Sequence, residues 1–196
     1  DLSIKFISCM LAIIIIPLFL MYFNILNSFL FSLVLTLLII VIAFFFSSVA
    51  AYMSGIVGSS NNPVSGITIA TILLSALFIK YIGFQSEIGM ISSILFGAIV
   101  CCSAAIGGDN MQDLKTGYII GATPWKQQIM QIIGVTFSAI TITFTLNVLH
   151  SAYTIGSEVL PAPQANLMKV IVEAVFNKNL PWNWIYTGVI IGFIII

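Results

Sequence analysis

The chain has 196 residues, of which 60% are hydrophobic and 6% charged, and its six lysines and six acidic residues cancel to a formal net charge of +0. A soluble domain carries about 25% charged residues, so this composition excludes a water-covered globule and predicts an all-α, polytopic transmembrane helical bundle. With no arginine and no dense cationic face, nucleic acid is excluded as a partner.

Six apolar segments are long enough, or nearly so, to cross a hydrocarbon core of about 30 Å, which takes about 20 helical residues. In chain order they run Phe6–Phe23, Phe29–Met53, Val64–Tyr81, Ile88–Ile106, Lys126–His150, and from Trp182 onward. The third has only about 16 strongly apolar residues, about 24 Å of helix, so it is short for a full crossing and open to a re-entrant or broken form. The linkers, Asn24–Ser28, Ser54–Pro63, Ile82–Glu87, Gly107–Pro124 and Ser151–Pro181, are polar or rich in glycine and proline. Within the last linker, Leu167, Val170, Ile171, Ala174 and Val175 form an i, i+3, i+4 stripe that suits a helix at the membrane interface or a connecting helix packed on the bundle. The chain opens on Asp1 and stops in the run Ile194-Ile195-Ile196, so it reads as a single transmembrane domain cut from a larger protein. Cys9, Cys101 and Cys102 lie in apolar runs and predict no disulfide framework. The positive-inside rule does not orient the segments: if all five complete ones cross, Lys5, Lys115 and Lys126 face one side and Lys80, Lys169 and Lys178 the other.

Polar residues inside the segments point to helices that face other helices. On the third segment Thr68, Thr71 and Ser75 share one face. The fourth carries Ser93, Gly97, Cys101 and Ala105 at four-residue spacing, which lets a neighbouring backbone approach closely. On the fifth, Thr136, Thr143, Asn147 and His150 lie opposite Ser138, Thr141 and Thr145, which predicts protein or water on both sides.

Two interruptions carry the candidate chemistry. In the first, Gly55–Gly66, Asn62 is placed to cap the third helix and Pro63 to open it. Below the membrane surface such a helix start would offer free amides to carboxylates or polar substrates; the same composition fits a tight extramembrane turn. In the second, Gly107–Tyr118, a helical turn would put Asp109 and Asp113 on one face with Gln112 and Thr116 beside them. That cluster could bind a cation, exchange a proton or meet a substrate ammonium, or be a solvated loop. Thr123-Pro124 then restarts a helix that Trp125 and Lys126 anchor at the interface.

The stretches Gly58-Ser59-Ser60-Asn61-Asn62-Pro63-Val64-Ser65-Gly66, Gly108-Asp109-Asn110-Met111-Gln112-Asp113-Leu114-Lys115-Thr116-Gly117 and Leu160–Met168, with Glu173, Phe176 and Asn179–Trp182 beyond, resemble the oligopeptide transporter family, especially its prokaryotic branch, related to the yellow stripe-like transporters. The resemblance implies a multi-pass protein of the bacterial inner membrane, a secondary transporter coupling the uptake of short peptides or metal chelates to protons. Its partners would be that substrate, protons, the lipid bilayer and the remaining helices of the full-length protein. By position, Asn61, Asn62, Pro63 and Gly66 would lie near the transport path, and Asp109, Asp113, Lys115 and Thr116 would form a polar loop. Two other classes are open: an intramembrane enzyme using Asp109 and Asp113, and a channel or structural subunit. With one histidine and no Cys/His cluster, neither a catalytic centre, a metal site nor a cofactor is expected.

Overall fold

The computed structural model describes residues 2–84, 86–177 and 182–195; Asp1, Lys178, Asn179, Leu180, Pro181 and Ile196, cited above, lie outside the described residues. Among the described residues, seven α-helices follow one another: α1 Ile4–Leu26, α2 Phe29–Val57, α3 Val64–Tyr81, α4 Ser86–Ile120, α5 Pro124–Tyr153, α6 Pro163–Phe176 and α7 Trp182–Ile195, with a short 3₁₀ turn at Ser59–Asn61 between α2 and α3. The helices α1 to α5 are long and apolar enough to cross a membrane, and α7 is a shorter apolar helix. The bundle read from composition is therefore present.

The α1–α2 hairpin is tight because Asn27 takes the left-handed conformation, φ 50°, and returns its N–H to Phe23 O at 2.9 Å. Asparagine tolerates that conformation better than other non-glycine residues. At this end Phe31 of α2 meets Phe84 edge to face, with centroids 5.1 Å apart.

α4 is the axis of the fold. Helix α2 runs parallel to it: Ser103 Oγ donates to Ala43 O at 3.3 Å, and farther along Ser54 Oγ donates to Gly108 O at 3.0 Å. Helix α3 runs antiparallel on α4, with Asn62 just before it against Gly108, Ile72 against Gly97, and Ile79 against Gly89. From Gly108 to Gly89 is about 28 Å along a helix axis, close to one hydrocarbon thickness. So α3 runs along α4 over a length sufficient to cross a membrane; the break lies at its starting edge.

Lipid offers helices no hydrophobic drive to associate, so close packing and hydrogen bonds hold the interfaces. The small-residue stripe of α4 provides the close packing. A Cβ at Gly97 would collide with Ile72, and one at Gly107 with Ser47. The core joins Tyr22 and Leu26 of α1, Leu35, Ile39 and Ala50 of α2, Ile67 and Ile79 of α3, and Phe96, Val100 and Ala104 of α4. Thr68, Thr71 and Ser75 are buried as their common face predicts. Two buried hydroxyls are satisfied locally, Thr36 on Ser32 O and Thr71 on Ile67 O, both at 2.7 Å.

Three features bear on the expectations. The stretch Gly107–Ile120, read as part of a linker, is helical. α4 has 35 residues, or about 52 Å, so its end rises well past a 30 Å core, and the turn to α5 shrinks to Gly121–Thr123, with Gly121 at φ 76°. A helical glycine costs about 1 kcal/mol against alanine; here Gly107, Gly108 and Gly117 admit close neighbours that a side chain would exclude. Second, among the described residues α5 has none buried within this chain, which leaves both its polar faces open to water or to further protein. Its polar faces are instead satisfied by its own backbone, Thr136, Thr141, Thr143, Thr145 and Asn147 each bonding to the carbonyl four residues back at 2.8 to 3.0 Å. Third, Asn62 does not cap α3; no side chain does.

Candidate functional site

The end of α4 that emerges past Gly107 carries polar residues on two opposite faces. At about 100° per residue, Gly108, Gln112 and Lys115 fall on one face, and Asn110, Asp113 and Gly117 on the other. Because α4 is flanked by the α2–α3 break and by the start of α5, each face meets a different polar segment.

On the first face, the chain leaves α2 at Gly58, φ 84°, which frees Ser59–Asn61 to turn back over α4. Ser59 Oγ donates to Gln112 Oε1, and Ser54 Oγ donates to Gly108 O. The Asn62 carboxamide lies directly on Gly108, whose missing side chain is what admits it. In this position Asn62 Oδ1 is buried without a hydrogen-bond partner. The free amides at the start of α3 are answered only by backbone, Val64 N donating to Asn62 O at 2.8 Å and Ile67 N to Pro63 O at 3.1 Å. The two interruptions found in sequence thus form one polar junction at the edge of the bundle.

On the second face, Gln131 Nε2 donates to Asp113 Oδ2 at 3.0 Å and Gln127 Nε2 to Asp113 O at 3.4 Å. The Gln127 side chain fills the space beside Gly117. Leu2 N donates to Gln128 Oε1 at 2.9 Å, which ties the start of α1 to the same place. Asn110 Oδ1 and Gln127 Oε1 are buried without partners. An unpaired buried acceptor costs about 1–3 kcal/mol, so Asn110 and Gln127 on this face, and Asn62 on the opposite one, each hold an oxygen ready to receive an N–H or O–H donor.

The predicted residues divide accordingly. Asn62 and Asp113 are in the junction on opposite faces of α4. Asp109 is exposed on the flank, and Pro63 is exposed as well. Asn61 turns its amide to Val57 O at 3.3 Å, and Thr116 donates to Gln112 O at 3.0 Å. Lys115 lies over the Tyr118 ring at 5.2 Å, and Gly66 has open space where a Cβ would stand. Ser54, Gln127 and Gln131 were not singled out from sequence. Gln127 and Gln131 are four apart and so share a helix face; that signal was legible, but its partner on α4 was hidden while Asp113 was read as loop.

Deeper in the bundle a cleft of about 310 Å³ lies between α2 and α3 and is floored by Phe96 of α4. Leu38, Ile42, Phe46, Leu74 and Phe78 make it almost entirely apolar. It suits a hydrocarbon group and offers nothing to a charged one.

A family model described as OPT oligopeptide transporter protein matches residues 1–196. A Haemophilus influenzae protein provisionally named an oligopeptide transporter is 39% identical over 182 residues, covering 83% of this chain and 29% of its own. A Saccharomyces cerevisiae protein with the same provisional naming is 34% identical over 134 residues, covering 68% of this chain and 18% of its own. The chain therefore spans less than a third of the length of either relative. No solved structure matches it.

Proposed function

Because the chain belongs to the oligopeptide transporter family, we propose that it forms about a third of a proton-coupled secondary transporter that moves short peptides or metal chelates across a bacterial inner membrane. The observation that carries the reading is the junction of the two interruptions on α4, where Asn62 rests on Gly108 and Ser59 meets Gln112. Broken helices that expose polar groups beside a packed helix are how membrane transporters build sites without placing unsatisfied backbone in lipid.

In this reading the unpaired carboxamide oxygens of Asn62, Asn110 and Gln127 receive the N–H groups of a peptide or a chelate. Asp113 holds the start of α5 through Gln131, and protonation of its carboxylate would weaken that bond by removing the charge from the acceptor. Proton arrival would then loosen α5 from α4, which is the coupling step. Asp109 and Lys115, both exposed, set the local field on the approach to the junction.

The test is uptake by the full-length protein in proteoliposomes, with a mixed pool of di- and tripeptides and with iron chelates, under an imposed pH gradient and without one. Gradient-dependent uptake that Asp113→Asn removes at unchanged membrane yield is the expected result. Uptake indifferent to the gradient rejects the coupling, and normal uptake by both Asp113→Asn and Asp109→Asn rejects the assignment of these carboxylates.

A further inference from the structure

The bundle buries only part of the apolar stripe on α6: Val175 lies against it, while Leu167 and Val170 face away. The buried residues are Val172 and Val175, and Phe176 lies over Gly89 at the head of α4. Leu167 and Val170 are 42% and 58% exposed, and at 100° per residue they centre about 140° away from the buried pair. Between the two apolar faces runs a charged strip, on which Lys169 and Glu173 pair at 3.7 Å. A connecting helix in water would need only the buried face. With 14 residues α6 is also too short to span, which takes about 20.

Its level in the membrane follows from what it touches. Lys80, at the end of α3, donates from Nζ to Val175 O, and to Phe176 O at 3.5 Å, and so neutralises the negative end of α6. This is the opposite edge of the bundle from Gly108. Beside it Tyr81 is 91% exposed. Exposed aromatic rings of this kind sit at the boundary between headgroups and hydrocarbon.

We infer that α6 lies in the bilayer interface, with Leu167 and Val170 bedded among lipid acyl chains and Lys80 strapping the helix to α3. Lys169 reaches past the apolar face to the headgroups. Since Lys80 ends the helix that begins just after Asn62 and Pro63, the seat of α6 in the bilayer fixes the depth of the polar junction at the other edge. The inference needs only a bundle that spans a bilayer and stands apart from any claim about transport or coupling.

The test places single nitroxide labels at Leu167→Cys, Val170→Cys, Lys169→Cys and Val172→Cys in the full-length protein, other cysteines replaced by serine, in phosphatidylcholine and phosphatidylglycerol vesicles. Collision rates with oxygen, which concentrates in hydrocarbon, are compared with those of a neutral nickel chelate, which stays in water. Oxygen should exceed the chelate severalfold at positions 167 and 170, with the order reversed at 169 and both low at 172. High chelate access at 167 and 170 overturns the inference in favour of a solvated helix; low access to both reagents there overturns it in favour of cover by other protein. Lys80→Ala should shrink the oxygen excess at 170 while Lys80→Arg preserves it, and an unchanged excess in Lys80→Ala rejects the strap.

Discussion

Helices α4 and α5 are neighbours in sequence, 35 and 30 residues long, and both are apolar enough to cross a membrane, yet they end in opposite situations. In the most apolar stretch of α4, 39% of residues are buried; in that of α5, none is. Hydrophobicity cannot account for this, because lipid satisfies an apolar side chain as well as protein does. What separates them is surface relief. Along α4, Gly89, Gly97, Gly107 and Gly108 present hollows that Phe176, Ile72, Ser47 and Asn62 fill, whereas Gly134 of α5 has nothing near it.

That contrast can be broken by swapping relief. Gly97→Leu drives a side chain into Ile72 and should cost about 3 kcal/mol, the upper part of the range for overpacking, in detergent unfolding of the purified protein. Gly134→Leu should stay within about 0.5 kcal/mol, as surface changes do. A comparable loss from Gly134→Leu would show that segments outside this chain cover α5 as tightly as α2 and α3 cover α4.

A smaller effect sharpens the account of the junction. Gly108→Ala should displace the Asn62 carboxamide at a cost of about 1–2 kcal/mol, and adding Asn62→Ala should recover most of it, since the collision and the unpaired acceptor are removed together. Additive losses in the double variant would mean that Gly108 matters for some neighbour other than Asn62. Next, Tyr22→Phe deletes the buried hydroxyl that donates to Ser92 O at 3.3 Å and should lower stability by about 1 kcal/mol. Smallest of all, Thr141→Val and Thr145→Val on α5 should change stability by less than about 0.5 kcal/mol, because their bonds stay within the helix. A loss above 1 kcal/mol would place another helix against that face.

The same contrast explains what could be read in advance. Apolar runs and their separators located α3 at Val64–Tyr81, with bounds identical to those observed, because a helix in lipid must close its own hydrogen bonds and so ends where apolar residues end. The inward face of Thr68, Thr71 and Ser75 was legible for the same reason. At Gly107–Gly117 the reading failed, since glycine, asparagine and aspartate are the residues of loops as well as of tightly packed helices. Composition could not distinguish them without Ser47, Asn62 and Gln127, which are remote in sequence and supply the packing. Helix α5 shows another limit: its two polar faces suggested neighbours, while Thr136, Thr141, Thr143 and Thr145 already bond to their own turns.

By itself, then, the sequence determined that the chain lives in a membrane as a helical bundle and which family it resembles, because those properties follow from local hydropathy, helix length and motif order. Only the tertiary structure decided that the first polar interruption and the start of α5 meet opposite faces of α4, that α3 packs antiparallel along α4, and that α6 leaves Leu167 and Val170 facing away from the bundle. Those outcomes depend on which hollows accept which side chains across interfaces, and such complementarity joins residues that nothing in the linear order brings together.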